Sequence, residues 1–82
     1  MQTALEVGKV THFYPKISVA VVELELPLTV GDRVHIDGKT THIEEVVESM
    51  QIEHKEITHA DPGQSIGLKV CGRVRVADIV SR

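Results

Sequence analysis

The sequence predicts an all-β fold, a small closed antiparallel barrel of six or seven strands. Three observations predict it. Short apolar runs rich in valine, isoleucine and leucine alternate with polar residues. Turn-forming residues separate these runs at Pro15, Pro27, Asp37-Gly38 and Asp61-Pro62-Gly63-Gln64. No stretch shows the 3.6-residue period of an amphipathic helix. Short strands joined by tight turns bury their apolar faces most readily by curling into a barrel.

The first strand is read over Leu5 to Phe13, with Leu5, Val7 and Val10 facing inward. Gly8 interrupts it, as glycine does at a bulge or a close backbone approach. His12-Phe13-Tyr14-Pro15 ends the strand, with both aromatics expected as an apolar plug at one barrel end. The second strand, Ile17 to Leu26, changes phase: Ile17, Val19 and Val21 share one face, and Val22, Leu24 and Leu26 the other. A strand with one buried face needs an extra residue to switch sides, so a bulge is expected near Val21-Val22. After Pro27, Arg33 to Ile36 and Thr41 to Ile43 flank Asp37-Gly38-Lys39-Thr40, the clearest hairpin signal in the chain. A fourth strand runs from Val46 to Ile52, with the inward residue left open between Val46 and Val47. His54 to Ala60 reads as a polar connection anchored by Ile57. Asp61 to Gln64 reads as a type II turn, Gly63 supplying the positive φ at its third position. Ser65 to Val70 alternates with Ile66, Leu68 and Val70 inward, and Val74 to Val80 closes the barrel.

At 82 residues one domain, 1–82, is expected. A chain of this size buries only about 60–65% of its unfolded surface, near the lower limit for a core without staples. The single cysteine, Cys71, excludes an internal disulfide and fits a reducing, cytoplasmic setting. Neither a secretory leader nor a membrane span is expected. Net charge is −3, divided into −1 over residues 1–43, −5 over Glu44–Asp61 and +3 over Lys69–Arg82. Lys69, Arg73, Arg75 and Arg82 therefore read either as a solvated face or as a basic strip for phosphate or an acidic partner.

Ser49-Met50-Gln51-Ile52, Ala60-Asp61-Pro62-Gly63 and Ile66-Gly67-Leu68-Lys69-Val70 resemble the second domain of translational GTPases. The likeness is to the barrel that follows the nucleotide-binding domain in elongation factor Tu and in initiation factor 2. It extends to Gly8-Lys9-Val10, Val30-Gly31-Asp32-Arg33-Val34 and Val74 to Val80. The resemblance implies contact with the aminoacylated end of transfer RNA near Gln51 and His54. Gln51 replaces an acidic residue of those factors, His54 resembles the archaeal and eukaryotic form, and Cys71 stands where a basic residue is frequent.

No phosphate-binding loop is present, so neither a nucleotide cofactor nor GTP hydrolysis is expected. No nucleophile elbow or H-E-x-x-H motif occurs, and Glu44 and Glu45, being adjacent, point to opposite faces of a strand. Cys71 reads as a small, partly buried apolar residue rather than a catalytic thiol. Among the five histidines, His35 and His42 stand on opposite arms of the predicted hairpin, but zinc-ribbon and zinc-finger spacings are absent and no metal is expected.

The expected role is that of a non-enzymatic binding module. In the main reading Gln51, His54, Lys55, Lys69, Arg73 and Arg75 contact transfer RNA, ribosomal RNA or a translation-related protein. Against it stand the acidic middle and the scarcity of stacking aromatics, only Phe13 and Tyr14. The alternative is a protein-interaction subunit, because a similar barrel is appended to the collagenase-like peptidase family. Such a subunit would dock onto a peptidase-family or other enzyme through a sheet edge or an apolar patch.

Overall fold

The computed structural model describes residues 5–82. Ten strands form: β1 (Glu6–Tyr14), β2 (Val19–Leu24), β3 (Leu28–Thr29), β4 (Arg33–Asp37), β5 (His42–Val46), β6 (Met50–Ile52), β7 (Lys55–Ile57), β8 (His59–Ala60), β9 (Ser65–Lys69) and β10 (Ile79–Ser81). Eight build one antiparallel sheet in the order β5-β4-β10-β1-β2-β9-β6-β7, while β3 and β8 pair separately. The all-β antiparallel class stands; closure into six or seven strands is corrected to a curled half-barrel. Its two edges, β5 and β7, do not pair with each other. The turn after β3 bridges the gap instead, with Val30 N–H donating to the Thr58 carbonyl and Gly31 N–H to the Val47 carbonyl, both at 2.9 Å.

Two corrections explain the strand count. The segment read as a polar connection forms the β6–β7 hairpin and then β8, because Ile57 packs on the core and its neighbours are free to pair. The closing strand is Ile79–Ser81 rather than the seven residues Val74 to Val80, because Ala77 turns the chain at φ 78° and Asp78 accepts the Arg75 N–H at 2.8 Å.

On β1, Val7 and Val10 are buried as expected, whereas Leu5 precedes the strand and is exposed rather than inward. Gly8 sits where backbone approaches closely: a Cβ there would lie 2.5 Å from the Glu23 carbonyl oxygen. The expected bulge lies opposite Val21-Val22, but its extra residue is Thr11 of β1, whose hydroxyl donates to the Val21 carbonyl at 3.3 Å. β2 therefore keeps one phase. Ala20, Val22 and Leu24 are buried, and Val19 and Val21 point to the outer face.

The β4–β5 hairpin forms as expected, with Asp37 opposite His42, though Gly38 is not at positive φ. Its missing side chain makes room for the Asp78 carboxylate, whose oxygen would lie 1.9 Å from a Cβ at position 38. Val47 rather than Val46 faces the core. Gly63 adopts φ 87° with Gln64 N–H bonded to the Asp61 carbonyl at 3.3 Å, as a type II turn requires. Ile66, Leu68 and Val70 are buried, and the core is completed by Leu28, Val34, Ile36, Met50, Val74 and Val80. Phe13 packs against this core while Tyr14 is exposed, so the two aromatics divide between the faces of the sheet.

Candidate functional site

Strand register determines what the outer face presents. Tyr14, Val19 and Lys69 are partners across β1, β2 and β9. In the next row His12, Val21, Gly67, Gln51 and Glu56 follow one another across five strands. Gly67 has no side chain, so a trough opens between the valines of β2 and Gln51 of β6. It forms a groove of about 450 Å³, with Tyr14, Ile17, Val19 and Val21 on one wall and Gln51 and His54 on the other. A Cβ at Gly67 would stand 3.2 Å from Val19 Cγ1 and 3.8 Å from the Gln51 carbonyl oxygen.

Backbone strain gathers around this groove. Ser18, Glu53, His54 and Ala77 are the non-glycine residues at positive φ among those described. Ser18 lies between two wall residues, and Glu53-His54 form the β6–β7 turn that overhangs the groove. Both turn residues take the left-handed region, φ 51° and 66°, as a two-residue hairpin of type I′ demands. His tolerates this region better than most residues, but Glu does not, and a left-handed Glu costs about 1–2 kcal/mol. Strain of this kind concentrates at binding and catalytic sites.

The expected RNA-contacting residues divide. Gln51 and His54 meet in the groove, while Lys55 is exposed at the start of β7, opposite Ile52. Lys69 borders a separate depression shared with the acidic Glu45 and Glu48. Arg73 and Arg75 lie on the far side of β1, beside His12, Phe13 and Val76. Arg82 pairs with Asp32 at 3.1 Å. The basic strip is thus dispersed, and the clustered positive charge that phosphate binding needs is not assembled. Tyr14, Ile17, Val19, Val21 and Gly67 were missed as site residues. Their signal was the second apolar face of β2, which the sequence reading attributed to a change of phase.

Among the described residues His35, His42 and His59 pair locally with acids. His35 faces Glu44 at 3.8 Å and His42 bonds Asp37 at 3.0 Å, so the two histidines address carboxylates rather than each other. Among the described residues no three His, Cys, Asp or Glu side chains gather closely enough to hold a metal ion. Cys71 is exposed and its N–H donates to Glu45 Oε2 at 2.9 Å. Hydrogen bonding to the Glu45 carboxylate, then burial and the Glu45 charge, push its thiol pKa up, the opposite of activation. Glu25 is also raised, first by a hydrogen bond with Glu6 and then by the Glu6 charge.

No family model matches the chain. Over 77 residues it is 48% identical to an uncharacterized protease of Methanocaldococcus jannaschii, which covers 93% of this chain but 19% of that protein. The chain therefore spans about a fifth of the curated relative it matches. Two crystal structures of the C-terminal domain of a putative U32 peptidase from Geobacillus thermoleovorans share its architecture at 22% identity. The selenomethionine variant gives a TM-score of 0.88, covering 94% of this chain and 98% of that domain. The second gives 0.86, covering 100% and 98%. The chain has the fold of that C-terminal domain. These findings overturn the likeness to translation-factor domain II and leave the transfer RNA and ribosomal contacts expected from it without support.

Among the described residues no helix is long and apolar enough to cross a membrane.

Proposed function

We propose that the chain is a non-enzymatic protein-docking module that serves a peptidase-family protein, with the groove beside Gly67 as its contact surface. The observation that carries this reading is the combination of a match to one fifth of a relative named as a protease with an open apolar groove on the face turned away from the core. Val19, Val21 and Ile17 gain nothing from the core they face away from, and an apolar surface of this kind is stabilised when a partner covers it. Gln51 and His54 on the opposite wall supply polar groups to orient what binds.

A non-catalytic role suits the chemistry available. Thr29 Oγ1, His59 Nδ1, His59 Nε2 and Asp61 Oδ1 do form a chain of contacts at 2.9 and 3.2 Å. His59 and Asp61 are largely exposed and the set lies outside the groove, so no bound group would be held against the Thr29 hydroxyl. A reducing cytoplasm accords with the reading, since the lone Cys71 has no second thiol in the chain to oxidise with.

The test is an amide NMR titration of the labelled chain with the Methanocaldococcus jannaschii relative from which the matching 77-residue segment has been deleted. Saturable shifts over Tyr14–Val21, Gln51–His54 and Gly67, at a Kd of about 1–100 μM, are expected for an interface of modest size. Absence of shifts at millimolar partner, or shifts confined to the opposite end of the sheet, would refute the docking role.

A further inference from the structure

Tyr14 lines the groove, and His12, whose ring stands 5.0 Å from that of Tyr14, borders a second, shallow and open depression. Arg73 and Arg75 line it together with Phe13 and Val76, the latter 61% exposed. Among the described residues neither guanidinium takes part in an ion pair, whereas Arg33 and Arg82 both do. The chain just after Arg75 is pinned to β1, with Val10 N–H donating to the Asp78 carbonyl at 2.9 Å and Ala77 N–H to the Val10 carbonyl at 2.8 Å, while Arg75 N–H bonds the Asp78 carboxylate at 2.8 Å and Val74 between the arginines is buried. Two guanidiniums without an ion-pair partner among the described residues, beside an exposed aliphatic side chain, suit carboxylates, which arginine recognises bidentately.

We propose that Arg73 and Arg75 form a carboxylate-binding subsite that continues the groove, so that the docked segment is acidic at one end and apolar at the other. This rests on the docking role argued above and specifies its partner. The span from the groove floor on β2 across β1 to the arginines is two strand spacings, about 10 Å, or about three residues of extended chain. Charge favours a protein segment over RNA. A nucleic acid lying along both depressions would carry phosphate past Glu53 at the groove and Glu56 in the same strand row. A peptide with carboxylates at one end alone avoids them, and the −3 charge of the chain gives a polyanion no general attraction.

The experiment is an amide NMR titration of the intact chain with an acetylated, amidated hexapeptide of two glutamates, two glycines and two leucines in that order. Shifts are expected both at Arg73–Val76 and at Val19–Val21 with Gly67. The double variant Arg73→Gln/Arg75→Gln should bind about tenfold more weakly, the loss expected of two exposed ion pairs. The glutamine version of the peptide should lose the same factor on the native chain and nothing further on the variant. Equal affinity in either comparison, no binding at millimolar peptide, or tighter binding of a uridine pentanucleotide at the same salt would overturn the proposal. A peptide with serines for leucines separates the two readings. If it keeps the arginine shifts while the leucine peptide never perturbs Val19–Val21, the carboxylate subsite stands and the groove falls. Thermal unfolding of the variant checks that these exposed substitutions leave the fold intact.

Discussion

Gly67→Val tests the groove most directly, because position 67 is where the floor is missing. The new Cβ would meet Val19 Cγ1 at 3.2 Å and the Gln51 carbonyl oxygen at 3.8 Å. The first contact is tight by a few tenths of an ångström, but it is made by a side chain on an open face that can rotate away. The second is an ordinary contact. Against this small strain stands the cost of glycine within a strand, about 0.5–1 kcal/mol relative to alanine, which a β-branched residue recovers. The two effects nearly cancel, so the unfolding free energy should change by less than about 1 kcal/mol, a shift in Tm below about 4–8 °C for a domain of this size. Binding should not be spared, because the isopropyl group occupies the floor between Val21 and Gln51, and affinity for the acidic–apolar hexapeptide should fall by at least about tenfold. Thermal unfolding and the NMR titration read the two quantities separately. Unchanged affinity would show that nothing enters the trough at Gly67. A destabilisation above about 2 kcal/mol would show that the strand has no room there, contrary to the contacts above.

The contrasting glycine is Gly8, where a Cβ would lie 2.5 Å from the Glu23 carbonyl oxygen and 2.8 Å from Val22 Cγ1. The obstacle is backbone and cannot turn away, so Gly8→Ala should lose about 1–3 kcal/mol in urea unfolding; a neutral substitution would contradict the close β1–β2 approach. At the β6–β7 turn, Glu53→Asn with His54→Gly should raise stability by about 1 kcal/mol, because Asn and Gly accept the left-handed φ more readily than Glu and His do. No gain in Tm would mean that the turn is not of type I′. Because the folded-state pKa of Glu25 is raised, the folded state binds the more protons around the carboxylate range, so this group's contribution to stability falls as pH rises through that raised pKa. Glu25→Gln should therefore raise Tm at neutral pH and have no such effect at pH about 3, where carboxylates are protonated; a gain at both would point to packing instead. Cys71 should react with iodoacetamide more slowly than a free thiol at pH about 8, and Glu45→Gln should speed it, since Glu45 is the first cause of the raised thiol pKa.

The sequence carried the fold wherever one residue had one physical reason to be present. The Asp61–Gln64 turn and the inward alternation of Ile66, Leu68 and Val70 formed where local chemistry placed them. Legibility failed where a residue answers to something distant in the chain. Gly38 looks like a turn glycine, yet it is small because Asp78 lies against it forty residues later. Glu53-His54 carries no turn signature, so its hairpin was invisible, and with it the wall of the groove that His54 helps form. Thr11 is the extra residue of a bulge that the sequence predicts on β2 instead, and a bulge on β2 leaves Val19 and Val21 no outer face to occupy. A strand apolar on both faces has either a switch of sides or a partner for the second face, and only the register across five strands distinguishes these.

The same ambiguity explains why the chain resembles a translation-factor barrel in sequence. Short valine-rich strands, a Pro-Gly turn and a Gly-Asp corner are what any small curled sheet needs, so those residues report architecture and are silent on what binds. What separates one such module from another lies on the outer face, where neither the core nor the turns dictate the residue. Here that face holds valines around an unfilled glycine, a strained turn that stability alone would replace, and two arginines left without carboxylate partners among the described residues. A chain selected only to fold would polarise Val19 and Val21, relax Glu53-His54 and scatter Arg73 and Arg75. Their presence on either side of the neighbouring His12 and Tyr14 rings is the physical argument for the proposed partner.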